Sequence, residues 1–454
     1  MQKNLLMGRQ LLKEEIEKNC VNEDKWEDNA ILKKISGFTK IEGSWKCNRC
    51  GEEKEKMRGN VPCTCGKDCF YCKNCIQMGR VKKCSMFYSQ EEKNDFFVSA
   101  PCLTWIGSLS KQQYRGSQII KKAIQENNEQ LVWAVTGAGK TEMLFEGIEW
   151  GLIHNKRICI ASPRLDVCLE LAPRIKEAFK EVPLSVLHGK MEGNYQYTPL
   201  VIATTHQLFR FKQAFDVLII DEMDAFPYER DESLHYASQT ARKSISALIY
   251  LTATPNQAVQ KQIFAHQMDS VQLPVRYHQK PLVVPQVKYI RNLDRKLLTR
   301  NTNQYLFKWM QMKMENKKKF LIFFHSIEVM DTCAKYWETV FPEAVFKTVS
   351  SESTERKETV RIMREEQLDF LMTTTILERG VTFKNIDVVV LHAENHLFTE
   401  SSLVQIAGRV GRNADFSTGE IVFIHEGMTT AIRKAIKQIK RMNALARKEG
   451  YLEQ

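Results

Sequence analysis

The stretch Val135-Thr136-Gly137-Ala138-Gly139-Lys140-Thr141 constrains this chain more than any other. A short apolar run, Leu131 to Val135, leads into it, and a helix-like run, Glu142 to Trp150, leads out. Strand, glycine-rich turn, Lys-Thr and helix together form an arrangement that cradles phosphate. Small residues let backbone N–H groups close on phosphate oxygens, and the helix N-terminus adds positive potential. Thr136, Gly137, Ala138, Gly139, Lys140 and Thr141 are therefore the candidate nucleotide-binding loop. Lys140 is expected to reach the β- and γ-phosphates and the Thr141 hydroxyl to hold Mg²⁺. The strict pattern wants glycine where this chain has Ala134, and glycine-rich turns beside lysine also arise by chance, so the reading gains its weight from later segments.

A chain of 454 residues has room for about three domains at ~150 residues each. No uninterrupted apolar run reaches ~18 residues and the N-terminus lacks a basic-apolar-small leader, so a cytoplasmic chain without a membrane span is expected. The formal charge of +12 favours a polyanionic partner, nucleic acid foremost, although such an excess is also often just a soluble surface.

Eight of the thirteen cysteines fall between Cys47 and Cys84. Clustered thiols in a reducing compartment read as metal ligands rather than disulfides. Two Cys-x-x-Cys pairs supply four soft ligands for tetrahedral zinc, and the best set is Cys47, Cys50, Cys72 and Cys75. Cys63, Cys65, Cys69 and Cys84 either form a second site or replace members of the first, because Cys69-x-x-Cys72-x-x-Cys75 offers overlapping pairs. Four cysteines leave no open coordination position, so the zinc is expected to be structural. Residues 1 to 45 carry no evident chemistry and read as a peripheral or adapter segment with a short helix over Gln10–Asn19.

Leu109-Ser110-Lys111-Gln112-Gln113 precedes the phosphate loop, and the Gln113 amide can read an adenine edge as donor and acceptor together. After the loop, apolar runs alternate with helical periodicity, which predicts a buried parallel sheet. One of them, Val217–Ile220, ends in Asp221-Glu222-Met223-Asp224. Asp221 is the candidate Mg²⁺ carboxylate and Glu222 the candidate base for the attacking water. As an ordered set, the phosphate loop, Ala161-Ser162-Pro163-Arg164, Thr204-Thr205, Asp221–Asp224 and Thr252-Ala253-Thr254 resemble the motifs of superfamily 2 helicases and translocases. The resemblance implies that Pro163-Arg164 and Thr204-Thr205 contact the phosphates of a nucleic-acid strand.

Farther on, strand-like runs Phe320–Phe324, Phe370–Thr373 and Asp387–Leu391 suggest a second lobe, after a linker without periodicity. Gln405-Ile-Ala-Gly408-Arg409-Val-Gly411-Arg412 can present guanidinium groups to a phosphoryl across a cleft. Arg409 and Arg412 resemble arginine fingers of that superfamily, and the resemblance adds Gly380 to the nucleotide-binding set. The terminal run Thr429–Leu445 is amphipathic and basic, with packing on the lobe preferred to a membrane surface.

The Asp-Glu-Met-Asp and Gln-x-x-Gly-Arg-x-Gly-Arg sequences depart from common RNA-helicase patterns and are closer to the primosomal replication-restart helicase. The cysteine module ahead of the ATPase, with Tyr71-Cys72-x-x-Cys75-x-x-Met78-Gly79-Arg80-Val81 and Trp105-x-Gly107-x-Leu109-Ser110, resembles the late-competence DNA-uptake ATPase family of Gram-positive bacteria. The resemblance implies an α/β fold with two tandem RecA-like domains (a superfamily 2 helicase core) behind a small zinc module. The expected divisions are an N-terminal segment 1–45, a zinc module 46–86, an ATP-binding domain 87–275, a linker 276–300 and a C-terminal domain 301–454. It further implies an ATP-driven motor, needing ATP, Mg²⁺ and Zn²⁺, that pulls single-stranded DNA into the cytosol at the inner face of the membrane. Its implied partners are single-stranded DNA, the companion competence protein ComFC, the membrane DNA-uptake channel and single-strand-binding proteins. A restart or repair helicase and a zinc-dependent adapter with a switching ATPase are the alternatives.

Overall fold

The computed structural model describes residues 4–18, 31–60, 62–66, 68–189, 195–299 and 304–452. Two parallel sheets dominate it. The first has seven strands, in spatial order 184–187, 200–204, 158–162, 215–221, 242–252, 129–134 and 270–273. The second has six, in order 286–289, 421–425, 386–390, 319–323, 370–373 and 346–349. Helices cover both faces, so inner strands are buried throughout and read as continuous apolar runs. Val217 to Ile220 and Leu200 to Ala203 are wholly inaccessible.

The helix Lys111–Glu126 shows how local chemistry sets an element. The Gln113 N–H donates to Ser110 Oγ and the Ser110 N–H donates to Gln113 Oε1, a reciprocal cap on the first turn. Asn127 closes the helix in the left-handed region at φ 55°. Its buried residues Ile120, Ala123 and Ile124 face the helix Phe145–Ile153, and Ile120 and Ile124 meet it at Gly147, where no side chain intervenes.

Three sequence expectations change. Residues 1–45 are not peripheral: Gln10–Leu12 and Lys33–Ser36 flank Met86–Ser89 in a three-stranded antiparallel sheet, and Phe38–Ile41 pairs with Ser44–Cys47. The described residues before Cys47 and the cysteine cluster are thus one body. The helix expected over Gln10–Asn19 starts as strand and becomes helix only over Lys13–Glu17, and Asn19 lies outside the described residues. The stretch read as a linker also holds structure. Gln286–Tyr289 pairs with Ile421–His425, and Leu293 and Leu297 are buried in the second lobe. Only the connection around 274–285 crosses between lobes. It is pinned at Val275 by two hydrogen bonds with the Gln112 amide, of 2.7 and 2.9 Å.

The terminal helix Thr430–Lys448 buries Ile432, Ile439 and Met442, so its apolar stripe packs on protein and not on a membrane. It also touches the first lobe: Gln438 Nε2 donates to Ala253 O at 3.0 Å and the Arg441 guanidinium lies 5.1 Å from the Trp133 ring. Among the described residues, no helix is long and apolar enough to cross a membrane.

Candidate nucleotide cleft and cysteine centres

Ligands in open α/β sheets sit beyond the carboxyl ends of the strands. Here the carboxyl ends of both sheets face one cleft of about 580 Å³. Strand 129–134 runs into the phosphate loop, where Gly137 and Gly139 adopt φ of 79° and 75°, in the left-handed region glycine tolerates. Lys140 and Thr141 open the short helix Lys140–Met143. Gln113 is buried with its amide against Gly139, close enough that a Cβ there would overlap it. Thr136, Gly137, Ala138, Gly139, Lys140, Thr141 and Gln113 therefore share one wall.

Asp221 and Glu222 lie at the end of strand 215–221, in the same cleft. Burial, with Glu222 beside it, raises Asp221 from 3.8 to about 6, although Lys140 pulls the other way. Glu222 has a φ of 55° and its Oε2 is buried without a hydrogen-bond partner. A desolvated carboxylate beside an unsatisfied one is a donor set that suits a hard divalent cation.

The second lobe supplies the opposite wall. Arg409 is only 4 % exposed, and neither its Nε nor its Nη1 has a hydrogen-bond partner. Burial, then the neighbouring Arg412, lowers it to about 9. Arg412 is half-buried and touches Val381 O at 3.4 Å. Two cations held together without matching anions fit a missing polyanion. Gly380 lines the cleft at φ 71° and packs on Asp166 of the first lobe. The structure brings together every expected residue of the nucleotide set.

It also brings in Asp224, Arg379 and Arg276, to which the sequence reading gave no role, and it joins Thr252 and Thr254, read as a link from the nucleotide site to the other lobe, to the first two. Asp224 accepts hydrogen bonds from Thr252 Oγ1 (2.6 Å), Thr254 Oγ1 (2.5 Å) and Arg379 Nη2 (2.5 Å). Burial would raise its pKa, but the Arg379 guanidinium and the threonine hydroxyls outweigh that and hold it below the usual range. Arg379 also donates to Ser401 Oγ at 2.8 Å and lies 3.6 Å from a Glu222 oxygen. Asp224 thus ties the two lobes together and links Thr252 and Thr254 to Arg379. A third carboxylate in Asp-Glu-x-Asp was the available signal, because a buried acid needs a buried cation. Arg276, from the connection, is fully buried and donates to the carbonyls of Gly411 and, at 3.4 Å, Gly408.

Arg164 does not face an open groove in this closed arrangement. It donates to Ile376 O across the lobe boundary at 3.3 Å and lies 3.8 Å from Glu378. Thr204 and Thr205 are buried, and Thr205 Oγ1 has no partner.

The cysteines gather into two groups with no shared member. Cys47, Cys50, Cys72 and Cys75 are all buried, with Sγ atoms within 4.8 Å of one another and pairs at 3.6 and 3.8 Å. A tetrahedron with Zn–S of ~2.3 Å has sulfur–sulfur edges of about 3.8 Å. The donor set fits zinc. Cys63, Cys65, Cys69 and Cys84 make up the other group, so Cys69 does not substitute into the first.

Comparisons with known proteins agree with this architecture. The family model of the competence protein ComFA N-terminal domain matches residues 1–89, that of the type III restriction enzyme res subunit matches 106–257, and that of the helicase conserved C-terminal domain matches 301–414. The competence protein ComFA of Bacillus subtilis is 42% identical over 404 residues, covering 89% of this chain and 87% of that protein. The same protein of Streptococcus pneumoniae is 37% identical over 426 residues, covering 93% and 96%. Among solved structures, Saccharomyces cerevisiae Dbp5 bound to RNA and ADP BeF3 aligns with a TM-score of 0.52 at 13% identity, over 74% of this chain and 92% of that one, a likeness of fold. With a superfamily 2 ATPase core behind its cysteine module, the chain belongs to the competence protein ComFA family.

Proposed function

We propose that the chain hydrolyses ATP between its two lobes and uses the cycle to move single-stranded DNA into the cytosol during natural competence. The observation that carries the ATPase half is Arg409, a buried guanidinium with no carboxylate partner among the described residues, which lines the cleft that holds the phosphate loop. The membership in the ComFA family supports the DNA-uptake half.

Gln113 orients the adenine edge, and the backbone from Thr136 to Gly139 encloses the phosphates. Lys140 binds the β- and γ-phosphates. Thr141 and Asp221 would hold Mg²⁺, which would supply charge neutralisation at the phosphates. Glu222 takes a proton from the attacking water, and Arg409 and Arg412 stabilise charge on the transferring phosphoryl. Gly380 lets the second lobe approach closely enough to complete the site. Arg379, released from or returned to Asp224 and Glu222, couples closure of the lobes to Thr252 and Thr254. A difference in affinity between ATP and ADP for the closed form drives each step.

Cys47, Cys50, Cys72 and Cys75 hold a structural zinc that orders the N-terminal module. Family membership also supports ComFC, the membrane DNA-uptake channel and single-strand-binding proteins as partners, with the motor lying peripherally at the inner face of the membrane.

The test is ATP turnover by the purified chain alone and with single-stranded DNA, duplex DNA or RNA, at one low salt concentration. Strong stimulation by single-stranded DNA is expected. Stimulation by RNA alone, or indifference to all three, would overturn the DNA-motor reading.

A further inference from the structure

The four cysteines left outside the structural zinc set form a site of their own. Cys63, Cys65, Cys69 and Cys84 place their Sγ atoms within 4.8 Å of one another. Cys84 Sγ lies 3.7 Å from both Cys63 Sγ and Cys69 Sγ. These separations match the edge of a zinc tetrathiolate, about 3.8 Å, and not the ~2.05 Å of a disulfide.

The backbone is shaped as at the first centre. Cys47–Gly51 closes with the Gly51 N–H donating to Cys47 O at 2.8 Å and a glycine φ of 75°. Cys63-Thr64-Cys65-Gly66 repeats this in shorter form: the Gly66 N–H donates to Cys63 O at 3.2 Å, at φ 67°. Successive N–H groups in such knuckles turn toward the thiolates and help carry their charge.

Among the described residues the segment has little other order beyond Lys83 Nζ donating to Asp68 O at 3.2 Å. Among the described residues of 62–69 there is neither helix nor strand, and only Cys69 is buried. Such a loop has no apolar core to hold it, which is where small modules rely on metal.

We infer that Cys63, Cys65, Cys69 and Cys84 bind a second zinc ion, one that clamps the 63–69 loop onto the turn at 82–85. That turn carries Lys82 and Lys83, next to Arg80, so the second ion fixes the basic edge of the module. Each thiol gives its proton to solvent as it coordinates. The two ions differ in access: all four ligands of the first are buried, whereas Cys84 is exposed. The second therefore exchanges with solvent faster.

The experiment counts metal on the full-length chain, purified under reductant with zinc and then exhaustively desalted. Wild type, Cys47→Ser and the double variant Cys63→Ser/Cys84→Ser are compared by zinc content and by Co²⁺ substitution, which reports thiolate ligation through its charge-transfer absorption. Two zinc ions in wild type and one in the double variant are expected, with near-wild-type basal ATP turnover in the double variant because none of these cysteines lines the cleft. One zinc in both wild type and double variant, lost in Cys47→Ser, would overturn the second site and leave the first standing. Two zinc ions retained in the double variant would overturn the ligand assignment. No zinc in wild type would overturn both centres.

Discussion

Two buried arginines in one cleft are partnered in opposite ways. Both have two nitrogens without a hydrogen bond, but Arg379 has Asp224 at 2.5 Å and Glu222 at 3.6 Å, whereas among the described residues no carboxylate lies within ion-pair distance of Arg409. An uncompensated buried charge is destabilising, so Arg409 is held for a ligand and not for the fold. Arg409→Leu should melt at or above the wild-type temperature while losing about 10³-fold or more in ATP turnover. Phosphate release and calorimetry on the same sample check both halves. Lys140→Ala should likewise keep the fold and lose turnover. Asp221 gives a pH signature. Its folded pKa of about 6 stands above its ordinary 3.8, so the folded chain is favoured when this carboxyl is protonated. That contribution is whole below about pH 4 and is lost as pH rises through about 6, roughly 3 kcal/mol for the full shift. Without added Mg²⁺, Asp221→Asn should therefore be more stable than wild type at pH 7.5, with the gap closing toward pH 4. Adding Mg²⁺ should stabilise wild type alone. Denaturant titrations at the two pH values measure this.

At the scale of elements, the helix Glu400–Ala407 meets the phosphate loop through one missing methyl group. A Cβ on Gly408 would lie 1.9 Å from Thr136 Oγ1 and 2.6 Å from Thr136 Cβ. Gly408 itself has an ordinary helical φ of −65°, so alanine is excluded by space and not by backbone strain. Gly408→Ala should leave each lobe folded, hold them apart and cut turnover at least tenfold. Thr136→Gly added to it should recover part of that loss, which steady-state kinetics would show. These elements were legible to different degrees. The parallel strands were readable because burial on both faces leaves continuous apolar runs. The strand 286–289 was not, because all four of its residues are exposed on a sheet edge and the alternation in Gln-Val-Lys-Tyr is too short to stand out. The N-terminal strand Gln10–Leu12 was misread as helix, since three residues cannot establish a period and its pairing partner lies nearly eighty residues away at Phe87–Ser89.

Across the whole molecule, the cysteine module is anchored to the ATPase core by charge as well as by apolar contact. Arg157 of the core donates to Met7 O of the N-terminal body at 3.4 Å and pairs with Glu92, on the segment that follows the module, at 2.5 Å, both side chains being fully buried. Arg210 of the core reaches Glu15 of the module at 2.9 Å, and Glu15 also pairs with the buried Arg49 between two zinc-type cysteines. Removing one partner from a buried pair strands the other. Glu92→Gln should cost about 3–5 kcal/mol. It should also split one unfolding transition into two, with the module melting before the core, as differential scanning calorimetry would resolve.

What the sequence by itself determined was the chemistry whose parts are neighbours along the chain. The phosphate loop, Asp221-Glu222, Gln405 to Arg412 and the Cys-x-x-Cys pairs each work through short spacings, and short spacings fix geometry within one turn or one knuckle. What only the tertiary structure decided was everything that depends on partners far apart: that Asp224 meets Arg379, 155 positions on, that Arg276 caps Gly411, and that eight cysteines divide four and four. Side-chain type states what a buried charge or thiol needs, but only the packed chain chooses which distant group supplies it.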